Sequence, residues 1–213
     1  MAKGGMTLLK KGAEADLYLG EWYGMRAVYK VRGRKGYRAP QLDERIREAR
    51  TAREASMIHD AKLLGVPTPC VYSVDLRSKT IVLEFIEGMR MKEALEPKRL
   101  VEPLPLFEVG ECVGKMHSNG IIHGDLTTSN IMVLGEGGIA LIDFGLSFRS
   151  SDEEDMGTDL LILKRALGSL HHDRAEAVLK RVLDGYRSMI GSADGVVRKM
   201  LEVERRGRYF SGR

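Results

Sequence analysis

The spacing of apolar residues changes near Glu87–Gly88, and this change constrains the fold more than any other feature of the chain. Before it, from Met6 to Val31, short β-prone runs are separated by glycines, which predicts a small antiparallel meander. Residues 42–64 follow helical spacing. Two further strands are predicted at Val71–Val74 and Thr80–Phe85.

After Gly88 the pattern is mainly helical. The helices predicted here are Leu104–Asn119, Gly157–Leu167, Asp173–Ile190 and Ala193–Glu204, and the strands are Ile131–Leu134 and Ile139–Ile142. A strand-rich part with one long helix, followed by a helix-rich part, is typical of an α+β fold with two lobes. We predict an N-terminal lobe at 1–86 with a five-stranded sheet and one helix, a reduced helical lobe at 87–204, and a basic tail at 205–213.

Length and charge exclude several classes of protein. The chain has 213 residues, with 34 Lys and Arg against 30 Asp and Glu, and its net charge of +4 is too mild for a protein coated in nucleic acid. No apolar run approaches the ~20 residues of a membrane span, and no signal-peptide pattern is present. Cys70 and Cys112 stand in apolar contexts, so we expect buried free thiols in a cytoplasmic protein.

Residues 122–130, Ile-His-Gly-Asp-Leu-Thr-Thr-Ser-Asn, hold the densest cluster of functional side chains. Asp125 can accept the proton of a hydroxyl or a water, and the amide oxygen of Asn130 can bind a hard cation such as Mg2+. Two short strands later, Asp143 precedes Phe-Gly and offers a second carboxylate to the metal. An isolated H-x-D is more often an ordinary polar loop, but these two motifs in this order are rare by chance.

These motifs resemble the catalytic and metal-binding loops of the protein-kinase fold. Ala27-Val-Tyr-Lys30 resembles its V-A-I-K strand, which implies that Lys30 binds the α- and β-phosphates of ATP. Glu54, on the predicted helix, would form the ion pair that positions this lysine, with Glu44 and Glu48 as rivals. The plain alternatives are a surface lysine and one glutamate among many helix charges.

The resemblance also implies a nucleotide site. Main-chain groups of Leu83-Glu-Phe-Ile86 would hold the adenine. In place of the usual G-x-G-x-x-G loop the chain has Lys11-Gly-Ala-Glu-Ala-Asp16, whose glycine and small alanines allow the backbone to approach phosphate. Glu14 is unfavourable beside phosphate and is expected to face solvent or a partner. The implied nucleotide-binding residues are Gly12, Ala13, Glu14, Ala15, Lys30, Glu84 and Ile86.

Beyond its glycine loop, the chain departs from typical protein kinases at two places. Gly124 replaces the arginine of H-R-D that receives an activation-loop phosphate, so loop phosphorylation is not expected to switch activity on. Between Asp143 and Asp159 there is no A-P-E motif, so the segment that docks peptides is nearly absent. For Asp159 two interpretations stay open: it stabilises the backbone of the catalytic loop, or it caps a helix.

Taken together, the motifs resemble the small kinase-ATPase subunit of the KEOPS (EKC) complex, a family of atypical serine/threonine kinases also described as PRPK-like or bud-site-selection kinases. The resemblance covers nearly the whole chain, and the minimal length is compatible with an archaeal source. The segments that carry it are Gly-Ala-Glu-Ala, Lys35-x-Tyr-Arg-x-Pro-x-Leu-Asp43, Arg50-Thr-x-x-Glu54, residues 123–130, Asp143-Phe-Gly-Leu-Ser147 and Asp159-Leu-x-x-Leu-x-Arg-Ala166.

The resemblance implies an enzyme that uses ATP and Mg2+ in support of the threonylcarbamoyladenosine modification of tRNA, with serine/threonine kinase activity. Its implied catalytic residues are Asp125, Lys30 and Glu54, and its metal ligands are Asn130 and Asp143. The implied partners are the threonylcarbamoyl-transferase subunit on the helical lobe and a small accessory subunit on the strand-rich lobe. The short docking segment favours water as the nucleophile, oriented by Asp125.

Two segments of the chain are strongly basic, and two other functions fit the sequence less well. Residues 32–53 carry eight Lys and Arg against three Asp and Glu, and the tail 205–213 has no acid. A charge run is usually a solvated face, but beside a tRNA-modifying partner the tail is a candidate tRNA contact. The alternatives are a free-standing small-molecule phosphotransferase of the aminoglycoside or choline kinase type, which the lack of a substrate insertion disfavours, and a non-enzymatic scaffold, which the complete set of charged site residues disfavours.

Overall fold

A computed structural model describes residues 5–96, 104–135, 137–170 and 174–210. The chain divides into two compact units: the first is Met1–Lys62 with Thr68–Ile86, and the second is Leu63–Pro67 with Glu87–Arg213. The first unit is mostly strand and the second mostly helix. The α+β class predicted from the sequence is confirmed.

The first unit is built on a five-stranded antiparallel sheet with the order β1-β2-β3-β5-β4. Its strands are β1 (Thr7–Lys10), β2 (Asp16–Trp22), β3 (Met25–Val31), β4 (Val71–Asp75) and β5 (Thr80–Glu84). Tyr23 and Gly24 both have positive φ and join β2 to β3, as a two-residue hairpin requires. Ala27, Tyr29 and Val82 form the core of one sheet face.

Helix α1 (Pro40–Leu63) belongs to the same sequence region as the predicted helix 42–64. It begins two residues earlier because a proline is well tolerated in the first helical turn, where its missing N–H has no partner to lose. It ends before Gly65, whose φ of +74° is the left-handed conformation that commonly stops a helix. Thr51, Glu54 and Ile58 of this helix are buried.

The second unit combines four longer helices with short strands. Its elements are β6 (Met89–Arg90), α2 (Met91–Ala94), α3 (Leu106–Ser118), β7 (Ile121–Ile122), β8 (Ile131–Val133), β9 (Ile139–Leu141), β10 (Phe148–Arg149), α4 (Glu153–Leu170), α5 (Ala175–Met189) and α6 (Ala193–Phe210). The strands form a three-stranded sheet, β6-β8-β9, and the pair β10-β7. The sequence did not predict β6, α2, β7 or β10, because elements of two to four residues are too short to show a period.

Glycines allow helices α3 and α5 to cross at close range. A Cβ on Gly110 would lie 1.9 Å from the carbonyl oxygen of Val182, and one on Gly185 would lie 2.0 Å from that of Phe107. Any larger side chain at either position would therefore push the two helices apart. The close crossing holds Tyr186 of α5 fully buried beside α3.

The last helices differ from the predicted boundaries. Helix α4 starts at Glu153, four residues before the predicted start, because three acidic residues in its first turn favour a helix N-terminus. Helix α6 continues to Phe210, so that part of the tail predicted at 205–213 is helical, and residues 211–213 lie outside the described part of the chain.

The two cysteines of the chain differ in burial. Cys112 is buried and Cys70 only partly so, and both are free thiols. Burial raises the pKa of the Cys112 thiol to about 12, which leaves it protonated and unreactive at neutral pH.

Among the described residues, no helix has both the length and the apolar character that crossing a membrane requires.

Candidate active site

A buried ion pair joins strand β3 to helix α1 in the first unit. Lys30 Nζ donates to Oε1 of Glu54 at 2.6 Å, and both side chains are at least nine-tenths buried. Because side chains alternate along a strand, Ala27 and Tyr29 face the apolar core while Lys30 lies on the opposite face, towards α1. The structure therefore contains the Lys30–Glu54 pair that the motif predicts.

Arg32 is a further member of this cluster, and it is not among the site residues predicted from the sequence. Its Nη2 donates to the second carboxylate oxygen of Glu54 at 2.5 Å, and its side chain is only 3% exposed. Residues 30 and 32 are two apart, so an extended chain presents both cations to the same side. The available signal was this spacing, hidden in a basic run that is usually solvated.

The rival glutamates of α1 pair elsewhere. Lys79, itself buried, lies 2.8 Å from Oε2 of Glu48 and 3.8 Å from Oε1 of Glu44, and both of these carboxylates are half exposed or more. Of the three candidates, only Glu54 faces Lys30.

The predicted phosphate loop connects β1 to β2. The N–H of Gly12 donates to Oδ1 of Asp16 at 3.3 Å, and a Cβ on Gly12 would lie 2.4 Å from the carbonyl oxygen of Ala15, so the turn requires glycine. Lys35 Nζ donates to the carbonyl of Ala13. Glu14 forms an ion pair with Arg50 of α1, a contact within the chain that the sequence did not predict. Its side chain is 45% exposed and so still reaches solvent.

The two residues predicted to hold adenine lie at the end of strand β5 and just after it. Glu84 is the last residue of that strand, and its side chain accepts a hydrogen bond from the backbone N–H of Cys70 at 2.9 Å. Ile86 is the last residue of the first unit's second segment. Between them, the Phe85 ring packs under the Arg26 guanidinium, 4.0 Å from the ring centroid.

Asp125 and Asn130 meet in the second unit, within the loop between β7 and β8. The Asn130 side chain donates from Nδ2 to both the backbone oxygen and Oδ2 of Asp125, at 2.9 and 2.8 Å. Because the amide nitrogen is used in this way, the amide oxygen is the atom of Asn130 that can bind a cation. The arrangement holds the Asp125 carboxylate and orients the amide oxygen of Asn130 that is predicted to bind the metal.

His123 links this loop to the segment that carries Asp143. Its Nδ1 accepts the backbone N–H of Asp125 at 3.3 Å, so Nε2 carries the proton and donates to the carbonyl of Ile142 at 3.2 Å. The N–H of Ile142 in turn donates to the carbonyl of Asn130 at 2.9 Å. Asp143, the next residue, is thereby brought beside the loop that carries Asp125 and Asn130.

Asp143 has an unusual backbone for a residue other than glycine. Its φ is +63°, its side chain is exposed, and its Oδ1 accepts the N–H of Gly145 at 3.3 Å. Aspartate is among the few residues that adopt this conformation at modest cost, and such outliers concentrate at functional sites. This conformation occurs two residues after the end of strand β9.

Asp159 acts on the catalytic-loop backbone and is not a helix cap. It lies inside α4, six residues after the start of the helix. Its Oδ2 accepts the N–H of His123 at 2.9 Å, and its Oδ1 accepts that of Gly124 at 3.0 Å. Of the two interpretations left open by the sequence, the structure supports the first.

A buried chain of polar groups stands behind Asp159. His117 of α3 donates from Nε2 to Oδ2 of Asp159 at 3.2 Å, and its Nδ1 accepts the hydroxyl of Tyr186 at 3.0 Å. Burial works to raise the pKa of Asp159, but hydrogen bonds from His117 and the His123 N–H, together with the two nearby histidines, outweigh it and hold the pKa below the usual aspartate value. Burial raises the pKa of the Tyr186 hydroxyl, which stays protonated and able to donate.

Gly124 fits a position that no side chain can occupy. Its φ is +78°, and a Cβ there would lie 2.3 Å from the carbonyl oxygen of Leu146. The arginine that typical protein kinases place here would therefore not fit this backbone. The loss of that arginine is built into the packing of the loop.

The residues available for a metal are of the type that Mg2+ prefers. Within the described residues, no group of three or more His, Cys, Asp and Glu could hold a metal ion by itself. Mg2+ at nucleotide sites needs only one or two protein carboxylates together with phosphate oxygens and water. Asp143 and the amide oxygen of Asn130 fit that requirement.

Comparison with known proteins gives a consistent result. Residues 29–182 match the family model described as the protein kinase domain. The chain is 44% identical over 213 residues to the KEOPS complex subunit Bud32 of Pyrococcus abyssi, with 96% of each chain covered. It is also 45% identical over 202 residues to the probable bifunctional tRNA threonylcarbamoyladenosine biosynthesis protein of Methanothermobacter thermautotrophicus.

A third relative is the protein of the same description from Methanocaldococcus jannaschii, 39% identical over 202 residues. The chain spans only 36% and 37% of the two bifunctional relatives, while 95% of its own length is covered in each comparison. These names support the first of the predicted functions and not the small-molecule phosphotransferase.

Proposed function

Because this chain belongs to the Bud32 family and carries the protein kinase domain, we propose that it is a small atypical serine/threonine kinase and ATPase of the KEOPS complex. It hydrolyses ATP in support of the threonylcarbamoyladenosine modification of tRNA. The observation that carries this proposal is the contact of Asn130 Nδ2 with Asp125 Oδ2 at 2.8 Å, which pairs a proton acceptor with a metal ligand.

In the second unit, Asp125 orients the attacking oxygen and accepts its proton. Its carboxylate is held by Asn130, and the loop backbone is held by Asp159 through the N–H groups of His123 and Gly124. Most of the rate acceleration in phosphoryl transfer comes from such positioning and from charge stabilisation. The bound Mg2+, held by Asp143 and Asn130, would supply positive charge to the phosphate oxygens.

In the first unit, Lys30 supplies the fixed positive charge for the α- and β-phosphates. Glu54 holds it at 2.6 Å, and the main chain of the Lys11–Asp16 loop covers the phosphates. Glu84 and Ile86 give main-chain contacts to adenine. These roles follow from the family motifs, and the burial of the Lys30–Glu54 pair supports them.

A water nucleophile fits this chain better than a protein hydroxyl. Residues 144–158 lead from Asp143 into helix α4 with no segment corresponding to A-P-E, so a peptide has little to dock on. Gly124 stands in place of the arginine through which loop phosphorylation commonly acts. We therefore propose that ATP hydrolysis is the main activity and that phosphorylation of serine or threonine is secondary.

The partners we propose are other KEOPS subunits. In two relatives a chain like this one forms little more than a third of a protein described as bifunctional, which places two activities on one polypeptide. The present chain would meet the second activity, threonylcarbamoyl transfer, as a separate subunit on its helical unit, with the small accessory subunit on its strand-rich unit. The basic end of α6, where Arg205 is exposed, is a candidate tRNA contact, and such work belongs in the cytoplasm.

The test is phosphate release from ATP and Mg2+, with and without the threonylcarbamoyl-transferase subunit. We expect Asp125→Ala and Asp143→Ala to lower the rate by about 100-fold or more, since each removes a group needed at the reacting phosphate. Glu176→Ala, which changes an exposed acid of α5, is the matched control and should match wild type.

Activity that survives both aspartate substitutions would contradict the catalytic assignment. Turnover of a small alcohol without any partner would instead favour the phosphotransferase.

A further inference from the structure

Glu54 is shared between two buried cations, although the family motif accounts for only one of them. Lys30 takes Oε1 and Arg32 takes Oε2, at 2.6 and 2.5 Å. Glu54 itself is 1% exposed. We propose that Arg32 is a positioning residue that acts on Lys30 through Glu54, and this inference rests on the proposed use of ATP.

Arg32 fixes the orientation of the Glu54 carboxylate. A glutamate side chain has three rotatable bonds, and its carboxylate is fixed only when both oxygens have partners. Arg32 binds one oxygen and leaves the other pointing at Lys30, so the ammonium group is held by a carboxylate that cannot turn. A lysine held in one place can meet phosphate oxygens without first being ordered.

Arg32 also sets how far Glu54 offsets the charge of Lys30. A carboxylate that serves a single lysine neutralises most of its charge, which would weaken the attraction of that lysine for phosphate. Because Arg32 draws on the same carboxylate, Glu54 offsets less of the charge of Lys30. An arginine suits this role because it stays protonated under all ordinary conditions, whereas a buried lysine can lose its proton.

The side chain of Arg32 is not needed to hold its own backbone in place. Its buried Nε has no hydrogen-bond partner, and buried ion pairs are often no more stabilising than apolar side chains of similar size. The backbone of Arg32 is held independently, because its N–H donates to the carbonyl of Lys79 at 3.0 Å and its carbonyl accepts Nη1 of Arg47 at 3.2 Å. The side chain is thus dispensable for holding residue 32, which leaves its action on Glu54 as its role.

The experiment compares ATP and adenosine binding to wild type, Arg32→Met, Arg32→Lys and Lys79→Met by calorimetry, with kcat and KM for ATP measured alongside. Lys79 is the matched control because it is a buried cation of the same unit that pairs with Glu48 on the same helix but does not touch Glu54.

We expect Arg32→Met to weaken ATP binding and raise KM by about tenfold, with adenosine affinity unchanged because adenosine has no phosphate for Lys30. Arg32→Lys should lie between wild type and Arg32→Met. Lys79→Met should match wild type for both ligands. Should methionine prevent folding, the Arg32→Lys variant carries the same comparison between ATP and adenosine.

Wild-type ATP affinity in Arg32→Met, or an equal loss of ATP and adenosine binding, would overturn the inference. A wild-type protein that binds no ATP would overturn the proposed function and the inference with it. The two failures are distinguished by the wild-type measurement alone.

Discussion

The two units each bury one carboxylate at the centre of their functional residues, and they surround it differently. Glu54 of the first unit is bound by the side chains of Lys30 and Arg32. Asp159 of the second unit is bound by the backbone N–H groups of His123 and Gly124 and by the ring of His117. Glu54 positions charged side chains, whereas Asp159 stabilises the backbone conformation of a loop.

Because their partners differ, substitutions at the two carboxylates should disturb different properties. Replacing Arg32 changes how Glu54 orients Lys30 and how far it offsets the charge of that lysine. The strand and the helix should stay in place. Replacing Asp159 releases two backbone N–H groups in a buried place, and unpaired buried donors are costly. Substitutions around Glu54 should therefore change ligand binding, whereas substitutions at Asp159 should lower stability before any ligand binds.

The largest effect is expected for Asp159→Asn. The variant loses the charge that strengthens three hydrogen bonds, which should lower the free energy of unfolding by about 3 kcal/mol and the Tm by roughly 6–12 °C at pH 7. Hydrogen exchange at the His123 and Gly124 amides, measured without nucleotide, should become faster than in wild type. Unchanged exchange rates at these two amides would show that Asp159 does not stabilise the loop backbone as the comparison with Glu54 requires.

The same pair of proteins gives a pH test. Because the folded-state pKa of Asp159 lies below its unfolded value, its contribution to stability is present above about pH 4 and is lost as the pH falls through the folded value. The Tm difference between wild type and Asp159→Asn should thus be constant near neutrality and narrow in acid. A difference that grows in acid would contradict the assignment.

A smaller effect is expected for Tyr186→Phe. It removes the hydroxyl that donates to Nδ1 of His117 and leaves the ring in place, so it should cost about 1 kcal/mol. If His117 holds Asp159 only while its own tautomer is fixed by Tyr186, the His123 and Gly124 amides should again exchange faster, though less than in Asp159→Asn. Loss of stability with no change at these amides would confine the role of Tyr186 to packing of α3 against α5.

The sequence predicts these two clusters to different extents, for physical reasons. The Lys30–Glu54 pair is predictable because both residues lie in recognisable motifs on a strand and a helix. Arg32 is not, because nothing in a basic run shows which member turns inward. Asp159 is found by the sequence, but its role depends on where α4 begins, and helix boundaries are set by capping and charge in the first turn.

Other features depend on contacts that no local pattern records. Gly110 and Gly185 look like helix-weakening residues until the close crossing of α3 and α5 is known. Gly124 is visible as a departure from a motif, but the contact with the carbonyl of Leu146 that excludes a side chain is tertiary. The elements α2, β6, β7 and β10 are held by their neighbours and have too few residues to be predicted alone.

The smallest effect is expected for Glu14→Gln, which tests whether exposed ion pairs in the first unit resemble the buried one. Glu14 and Arg50 are 45% and 35% exposed, so their pair is screened by solvent and should contribute less than about 1 kcal/mol to stability. The variant removes a negative charge from the predicted phosphate loop, so ATP affinity should rise slightly, by about twofold to threefold, and more at low salt. Arg50→Gln leaves Glu14 unpaired and should lower ATP affinity by a similar factor, which makes it the matched opposite. Equal ATP affinity in both variants, at low and at high salt, would show that the charge of this loop does not reach the phosphates, unlike the charge that Arg32 sets at Lys30.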